Sequence, residues 1–237
     1  MYEAIILAGG FGTRLREAVP DLPKPMAPVA GKPFLAWQLE YLIKLGVSRF
    51  ILSIHYKAKA IRDYFGSEYQ GAEIVYAEEK IPLGTGGAIE YALKNAQQER
   101  VFVLNGDTLC ESNLAGLRAL NVNNSNSVGM IVKHVNDAGR YGAINFNPNT
   151  KLVTAFGEKL SSAAGFINAG IYDIHKNLFN KITLKLPCSF EKEIIQQKLT
   201  SNNLYAHIAG EFFIDIGIPK DFEAAQNLIP QFCSARK

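Results

Sequence analysis

Along the first half of the chain, short runs of consecutive apolar residues alternate with segments whose apolar positions recur every three or four residues. Residues 4–8, Ala-Ile-Ile-Leu-Ala, form a continuous apolar run closed by Gly9 and Gly10, which predicts a strand covered on both faces. Residues 34–45 place Leu35, Leu39, Leu42 and Ile43 near helical spacing, with Gly46 as the stop. Strand character returns at 49–55, helix at 58–64, strand at 72–76, helix at 86–95, and a strongly apolar strand at 101–104. This alternation predicts a parallel sheet with crossover helices. A helix at 114–120 and a polar turn over 121–127 follow. Later the pattern changes: strand-like runs at 127–134, 142–146, 152–156, 165–173, 204–208 and 212–216 outnumber helical ones at 191–199 and 221–228. One α/β core with an inserted or appended mixed lobe accounts for this order better than two independent domains.

Composition narrows the class. Hydrophobic residues make up 48% and charged residues 20% of 237, which supports a substantial core and argues against disorder or a coiled coil. The formal charge of +3 comes without an arginine-rich tract, so no nucleic-acid partner is expected. No run approaches the roughly 20 apolar residues of a spanning helix, and no membrane association is expected. The short apolar run after Glu3 has neither the basic start nor the length of a secretory signal, so the expected location is cytoplasmic. Cys110, Cys188 and Cys233 are scattered and lack metal-ligand spacing, as are His55, His134, His175 and His207.

The chemistry is concentrated at strand ends. Gly9-Gly10-Phe11-Gly12-Thr13-Arg14 follows the first strand directly. Glycines let a backbone approach an anion closely, and Arg14 can add a charge-assisted fork. The arrangement lacks the third spaced glycine of the dinucleotide fingerprint, and Gly31-Lys32 precedes Pro33 where a P-loop needs serine or threonine. Asn105-Gly106-Asp107 closes the apolar strand at 101–104, at the end where open α/β sheets place ligands. Asp215 follows a second strand-like run. Two such carboxylates suit a hard divalent cation that keeps waters, as phosphoryl-group transfer requires.

Residues 7–15, Leu-Ala-Gly-Gly-Phe-Gly-Thr-Arg-Leu, together with Pro23-Lys24-Pro25-Met26 and Gly31-Lys32-Pro33, resemble the signature of sugar-1-phosphate nucleotidyltransferases. The resemblance extends over essentially the whole chain. It implies a Rossmann-like nucleotidyltransferase fold, with a central mixed, mostly parallel sheet and a small β-rich sugar-binding lobe. Residues 1–110 would be mainly nucleotide-binding, and 111–237 would hold the sugar and complete the core of one domain. Leu7, Ala8, Gly9, Gly10, Gly12, Thr13, Arg14, Lys24, Glu79, Gly84, Thr85 and Asp107 would face the nucleotide. Gly142, Glu158, Lys159, Asn168 and Gly170 would face the sugar phosphate. Arg14, Lys24, Asp107 and Asp215 would carry catalysis, the two aspartates as ligands of Mg²⁺. Ile218 stands where the family often has threonine, which puts a hydroxyl contact in doubt.

Further details resemble the heptose 1-phosphate guanylyltransferase branch: Leu15-Arg16 followed by Val19-Pro20-Asp21-Leu22, the double glycine Gly86-Gly87, and Ser189-Phe190-Glu191-Lys192. Glu79 can accept from both N1–H and the N2 amine of guanine, whereas uracil offers one such donor. The implied substrates are GTP and D-glycero-α-D-manno-heptose 1-phosphate. Uridylyl transfer to a hexose or N-acetylmuramic acid 1-phosphate is one alternative, and a non-catalytic nucleotide-sugar-binding regulatory subunit another; homo-oligomerisation stays open.

Overall fold

A computed structural model describes residues 1–10, 19, 21–120, 124–139, 141–156, 163–180 and 182–235. In chain order it places β1 at Tyr2–Leu7, β2 at Pro28–Val29, β3 at Lys32–Pro33, α1 at Phe34–Lys44, β4 at Val47–Ile54, α2 at Ala58–Phe65, β5 at Glu68–Tyr69, β6 at Ala72–Glu78 and α3 at Gly84–Leu93. Next come β7 at Arg100–Asn105, β8 at Thr108–Cys110, α4 at Leu114–Ala119, β9 at Val128–Val135, β10 at Ile144–Phe146, β11 at Val153–Phe156 and β12 at Gly165–His175. A π-helical turn over Phe190–Ile195 runs into α5 at Gln196–Thr200, followed by β13 at Leu204–Ile208, β14 at Phe213–Asp215 and α6 at Pro219–Ser234.

The main sheet runs β11-β10-β12-β7-β1-β4-β6-β5, with β9 on β12 and β13 on β9. Strands β7, β1, β4 and β6 are mutually parallel, and β12 lies antiparallel to β7. Strict alternation divides their side chains between two cores. Ala4, Ile6, Phe50, Leu52, Phe102 and Leu104 pack on one face against Leu35, Leu39 and Leu42 of α1. Ile5, Ile51, Val101 and Val103 pack on the other face with Ile89 of α3, Tyr172 and Phe190. A strand buried on both faces reads as an unbroken apolar run, which is why these strands are visible in sequence.

A third core lies under a separate two-stranded sheet of β8 and β14, where Leu109, Ile214 and Ile216 meet Ala225, Ile229 and Phe232. The short strands β2, β3, β5 and β8 have no counterpart in the sequence expectation, and two of the expected helices take a different form. The helix at 191–199 begins as the π-helical turn, with Ser189 as an N-cap accepting from Lys192 N. The closing helix extends over Pro219–Ser234, starting at a proline suited to a first helical position and passing through Pro230. No helix among the described residues is long and apolar enough to cross a membrane.

Candidate active site

The carboxyl ends of β1, β4 and β7 open onto a cavity of about 570 Å³ lined by Leu7, Gly9, Gly10, Lys24, Ser53, His55, Glu79, Gly84, Thr85, Asp107 and Asp215, among others. Parallel strands put all their carboxyl ends on one edge, and β1, β4 and β7 are neighbours there. Ala8 is fully buried beneath this rim, its N–H donating to Ser53 O at 2.8 Å. Gly12, Thr13 and Arg14 lie outside the described residues, as do Glu158 and Lys159.

Asp107 and Asp215 lie 108 residues apart in sequence and are brought together by the small sheet. Thr108 of β8 pairs with Asp215 of β14, and Ile216 N donates to Asp107 O at 3.0 Å. Between the carboxylates stands the Lys24 ammonium, 2.5 Å from Asp107 Oδ2 and 3.8 Å from Asp215 Oδ1. Lys24 opens a single 3₁₀ turn, Lys24–Met26, with Pro23 as its N-cap and Pro25 inside it, a stiff mount for that side chain. Gly217 closes the cluster. Its N–H donates to Asp215 Oδ1 at 2.7 Å, and a Cβ there would stand 2.8 Å from the same oxygen and 3.3 Å from Lys24 Nζ.

Two carboxylates thus face the cavity edge around one ammonium. Such a donor set suits Mg²⁺, which takes one or two protein carboxylates and completes its shell with water and phosphate oxygens. Ile218 is the N-cap of α6 and makes no side-chain cap bond, so the hydroxyl absent here is one that could cap the helix.

Glu79 is buried at the opposite wall of the cavity. Its Oε1 accepts from Ser53 Oγ at 2.9 Å and its Oε2 from Leu83 N at 3.0 Å, while its own carbonyl lies 2.7 Å from His55 Nδ1. The two donors fix the carboxylate and leave each oxygen a further lone pair.

The glycine-rich start of α3 serves two surfaces. Gly84 and Thr85 line the cavity. Gly86 and Gly87 face away, where added Cβ atoms would stand 2.8 Å from Cys188 Sγ and 2.5 Å from a Leu186 methyl. Gly86 N donates to Cys188 O at 2.8 Å, and Thr85 Oγ1 accepts from Phe190 N at 2.9 Å. Gly86-Gly87 and Ser189-Phe190-Glu191-Lys192, two separate motifs in the sequence, are therefore parts of one contact.

Asn168, Gly170 and Gly142 do not line the cavity. Asn168 Nδ2 donates to Tyr172 Oη at 2.6 Å and Glu191 Oε1 at 2.8 Å, and its Oδ1 accepts from Gly170 N at 2.9 Å. Burial, reinforced by Glu191, raises the Tyr172 pKa well above the usual phenol value, so the hydroxyl stays protonated and donates to Glu191 at 3.1 Å. This network reaches the cavity rim through Phe190 and Thr85. Asn105, part of the polar group expected at that strand end, lines the cavity; Ser53, His55 and Gly217 are lining residues not named among the expected site residues. Ser53, a polar break in the apolar run of β4, was the one available signal.

Fold and cavity define an α/β nucleotide-handling enzyme type, and comparison makes the class specific: the chain belongs to the nucleotidyl transferase family, which matches it over residues 3–231. It is 43% identical over 220 residues to the D-glycero-alpha-D-manno-heptose 1-phosphate guanylyltransferase of Campylobacter jejuni subsp. jejuni serotype O:2, covering 93% of this chain and 96% of that protein. The enzyme of the same name from Aneurinibacillus thermoaerophilus is 39% identical over 230 residues, covering 97% and 99%. The crystal structure of HddC from Yersinia pseudotuberculosis complexed with GMP-PN superposes with a TM-score of 0.85 at 35% identity, over 98% of this chain and 100% of that one.

Proposed function

We propose that this protein transfers GMP from GTP to D-glycero-α-D-manno-heptose 1-phosphate, forming GDP-D-glycero-α-D-manno-heptose and pyrophosphate. The observation that carries the reading is the convergence of Lys24, Asp107 and Asp215 at the edge of a cavity whose far wall holds the buried Glu79. That spacing of functions along one cavity suits a nucleoside triphosphate, with its phosphates at the acids and its base at Glu79. The full-length likeness to two heptose 1-phosphate guanylyltransferases supports the choice of sugar and base.

In the reaction, a phosphate oxygen of the sugar 1-phosphate forms a bond to the α-phosphorus of GTP. The bond from that phosphorus to the bridging oxygen breaks, and pyrophosphate leaves with the electron pair. No covalent enzyme intermediate is needed. Lys24 supplies positive charge to the reacting phosphoryl group, and Gly9 and Gly10 line its approach. Asp107 and Asp215 would hold Mg²⁺, which when bound neutralises charge on the phosphate oxygens. Glu79, an acceptor fixed by Ser53 and Leu83 N, takes hydrogen bonds from guanine N1–H and the N2 amine. Asn168 and Gly170 orient the sugar through the Tyr172–Glu191 network.

The test is a product-identified matrix of GTP, UTP, CTP, dTTP and ATP against heptose, mannose, glucose and N-acetylmuramic acid 1-phosphates. GTP with the heptose phosphate is expected to give the highest kcat/KM. Preferential UDP-sugar formation would overturn the base assignment.

A further inference from the structure

Gln38 has no part in the cavity, yet it is tied to the turn that carries Asp107. It sits on α1 among Leu35, Leu39 and Leu42 and is 1% exposed. Both hydrogens of Nε2 are used: one bond goes to Asn105 O and the other to Thr108 O, each at 2.8 Å. These carbonyls flank Asp107 on either side. The opposite end of the amide, Oε1, accepts no hydrogen bond among the described residues.

That asymmetry points to a role for the donors. A buried polar atom without a partner destabilises the fold; leucine or methionine would remove that atom but leave the Asn105 and Thr108 carbonyls without these donors. Inverting the amide would aim Oε1 at two carbonyl oxygens, so the hydrogen-bond pattern fixes its orientation. What the residue provides is a two-pronged clamp across the turn from β7 to β8. Other restraints act on the same turn from different directions: Gly106 N donates to Leu7 O at 3.0 Å, and Asp107 O accepts from Ile216 N at 3.0 Å. Gln38 is the side chain that spans the turn from the helix side.

We infer that Gln38 is a positioning residue for the Asp107 carboxylate, setting the affinity of the site for its divalent cation through the Asn105–Thr108 turn. The inference rests on the proposal that Asp107 holds Mg²⁺. Outer-shell partners of metal ligands typically change metal affinity by about 10- to 100-fold when removed.

The experiment compares wild type, Gln38→Met, Gln38→Asn and Asp107→Asn. Free Mn²⁺ is counted by electron paramagnetic resonance in the presence of a non-hydrolysable GTP analogue, and the Mg²⁺ dependence of GDP-heptose formation is measured in parallel. Gln38→Met is expected to weaken Mn²⁺ binding and raise half-saturating Mg²⁺ about tenfold, with kcat at saturating Mg²⁺ falling only about twofold. Metal-free affinity for the GTP analogue should stay at the wild-type value. A folded Gln38→Met with wild-type metal constants, beside an Asp107→Asn that loses metal binding, would overturn the inference and leave the metal assignment intact. Wild-type metal binding in Asp107→Asn would remove the assignment itself. Should Gln38→Met not fold, Gln38→Asn takes its place, its amide one methylene short of the turn; wild-type Mn²⁺ affinity there makes Gln38 a structural staple and overturns the inference.

Discussion

Two acid–cation clusters stand at opposite ends of β7, and they are built in opposite ways. At its amino end Arg100 opens the strand, and the side chain of Asp173, fully buried on β12, accepts from Arg100 Nε at 2.8 Å and Arg118 Nε at 2.7 Å. Arg100 donates further to the carbonyls of Asn124 and Ser127. At its carboxyl end two aspartates converge on one lysine, with Asp107 and Asp215 side chains 33% and 21% exposed at the cavity. One acid held by two guanidinium groups in the interior is a structural tie. Two acids brought together at an open rim are, in the proposed reaction, where a cation and the anionic substrate meet. Sheet chemistry explains the division, since the carboxyl edge of parallel strands is where ligands meet the fold.

The comparison breaks if the two clusters respond alike to loss of charge. Asp107→Asn and Asp215→Asn are expected to lower kcat by about 100- to 1,000-fold, the scale for losing an electrostatic stabiliser of the transition state, with unfolding midpoints near wild type. Asp173→Asn should do the reverse, costing about 3–5 kcal/mol of stability because it leaves the buried Arg100 guanidinium against a neutral partner. Turnover per folded molecule should survive. Denaturant unfolding alongside initial rates separates the two outcomes, and a stable but inactive Asp173→Asn would contradict the division.

Gly217→Ala probes how closely the open cluster is packed. Its methyl would meet Asp215 Oδ1 at 2.8 Å, so the carboxylate must shift, and kcat is expected to fall by up to about a hundredfold, as small misplacements in catalytic sites do. Steady-state rates at saturating GTP and Mg²⁺ would show it; a wild-type rate would mean that the Asp215 position is not demanding. Glu79→Gln puts an amide where two donors already point, and should reduce the preference for GTP over UTP by about tenfold or more, measured as a ratio of kcat/KM values. An unchanged ratio would take base reading away from Glu79. The smallest effect is expected from Arg118→Ala. Arg118 is 23% exposed against 8% for Arg100, and its loss should cost about 1–3 kcal/mol, less than removal of Asp173, with Arg100 still paired.

How much of this was legible in the chain depended on the range of the interaction. The strands at 4–8, 49–55 and 101–104 announced themselves because both faces of each are covered, and the glycine stop at Gly46 sits at a left-handed φ of 91° that its residue type suits. Asp107 was legible as a strand-end acid. Strand β8 was not, since three residues, Thr-Leu-Cys, carry no periodicity, and its pairing with β14 is made about a hundred residues away. For the same reason the sequence could name Gly86-Gly87 and Ser189-Phe190-Glu191-Lys192 but not join them. Gln38 was hidden differently: a glutamine in a helix is unremarked until its two acceptors on the β7–β8 turn are known.

The most direct test of the central claim is the stoichiometry of the reaction itself. Purified protein incubated with GTP, Mg²⁺ and D-glycero-α-D-manno-heptose 1-phosphate should release one pyrophosphate for each GDP-heptose identified by mass spectrometry. Binding of GTP and of GDP-heptose with no pyrophosphate released would contradict it, and would make the open cluster on β7 a regulatory binding site.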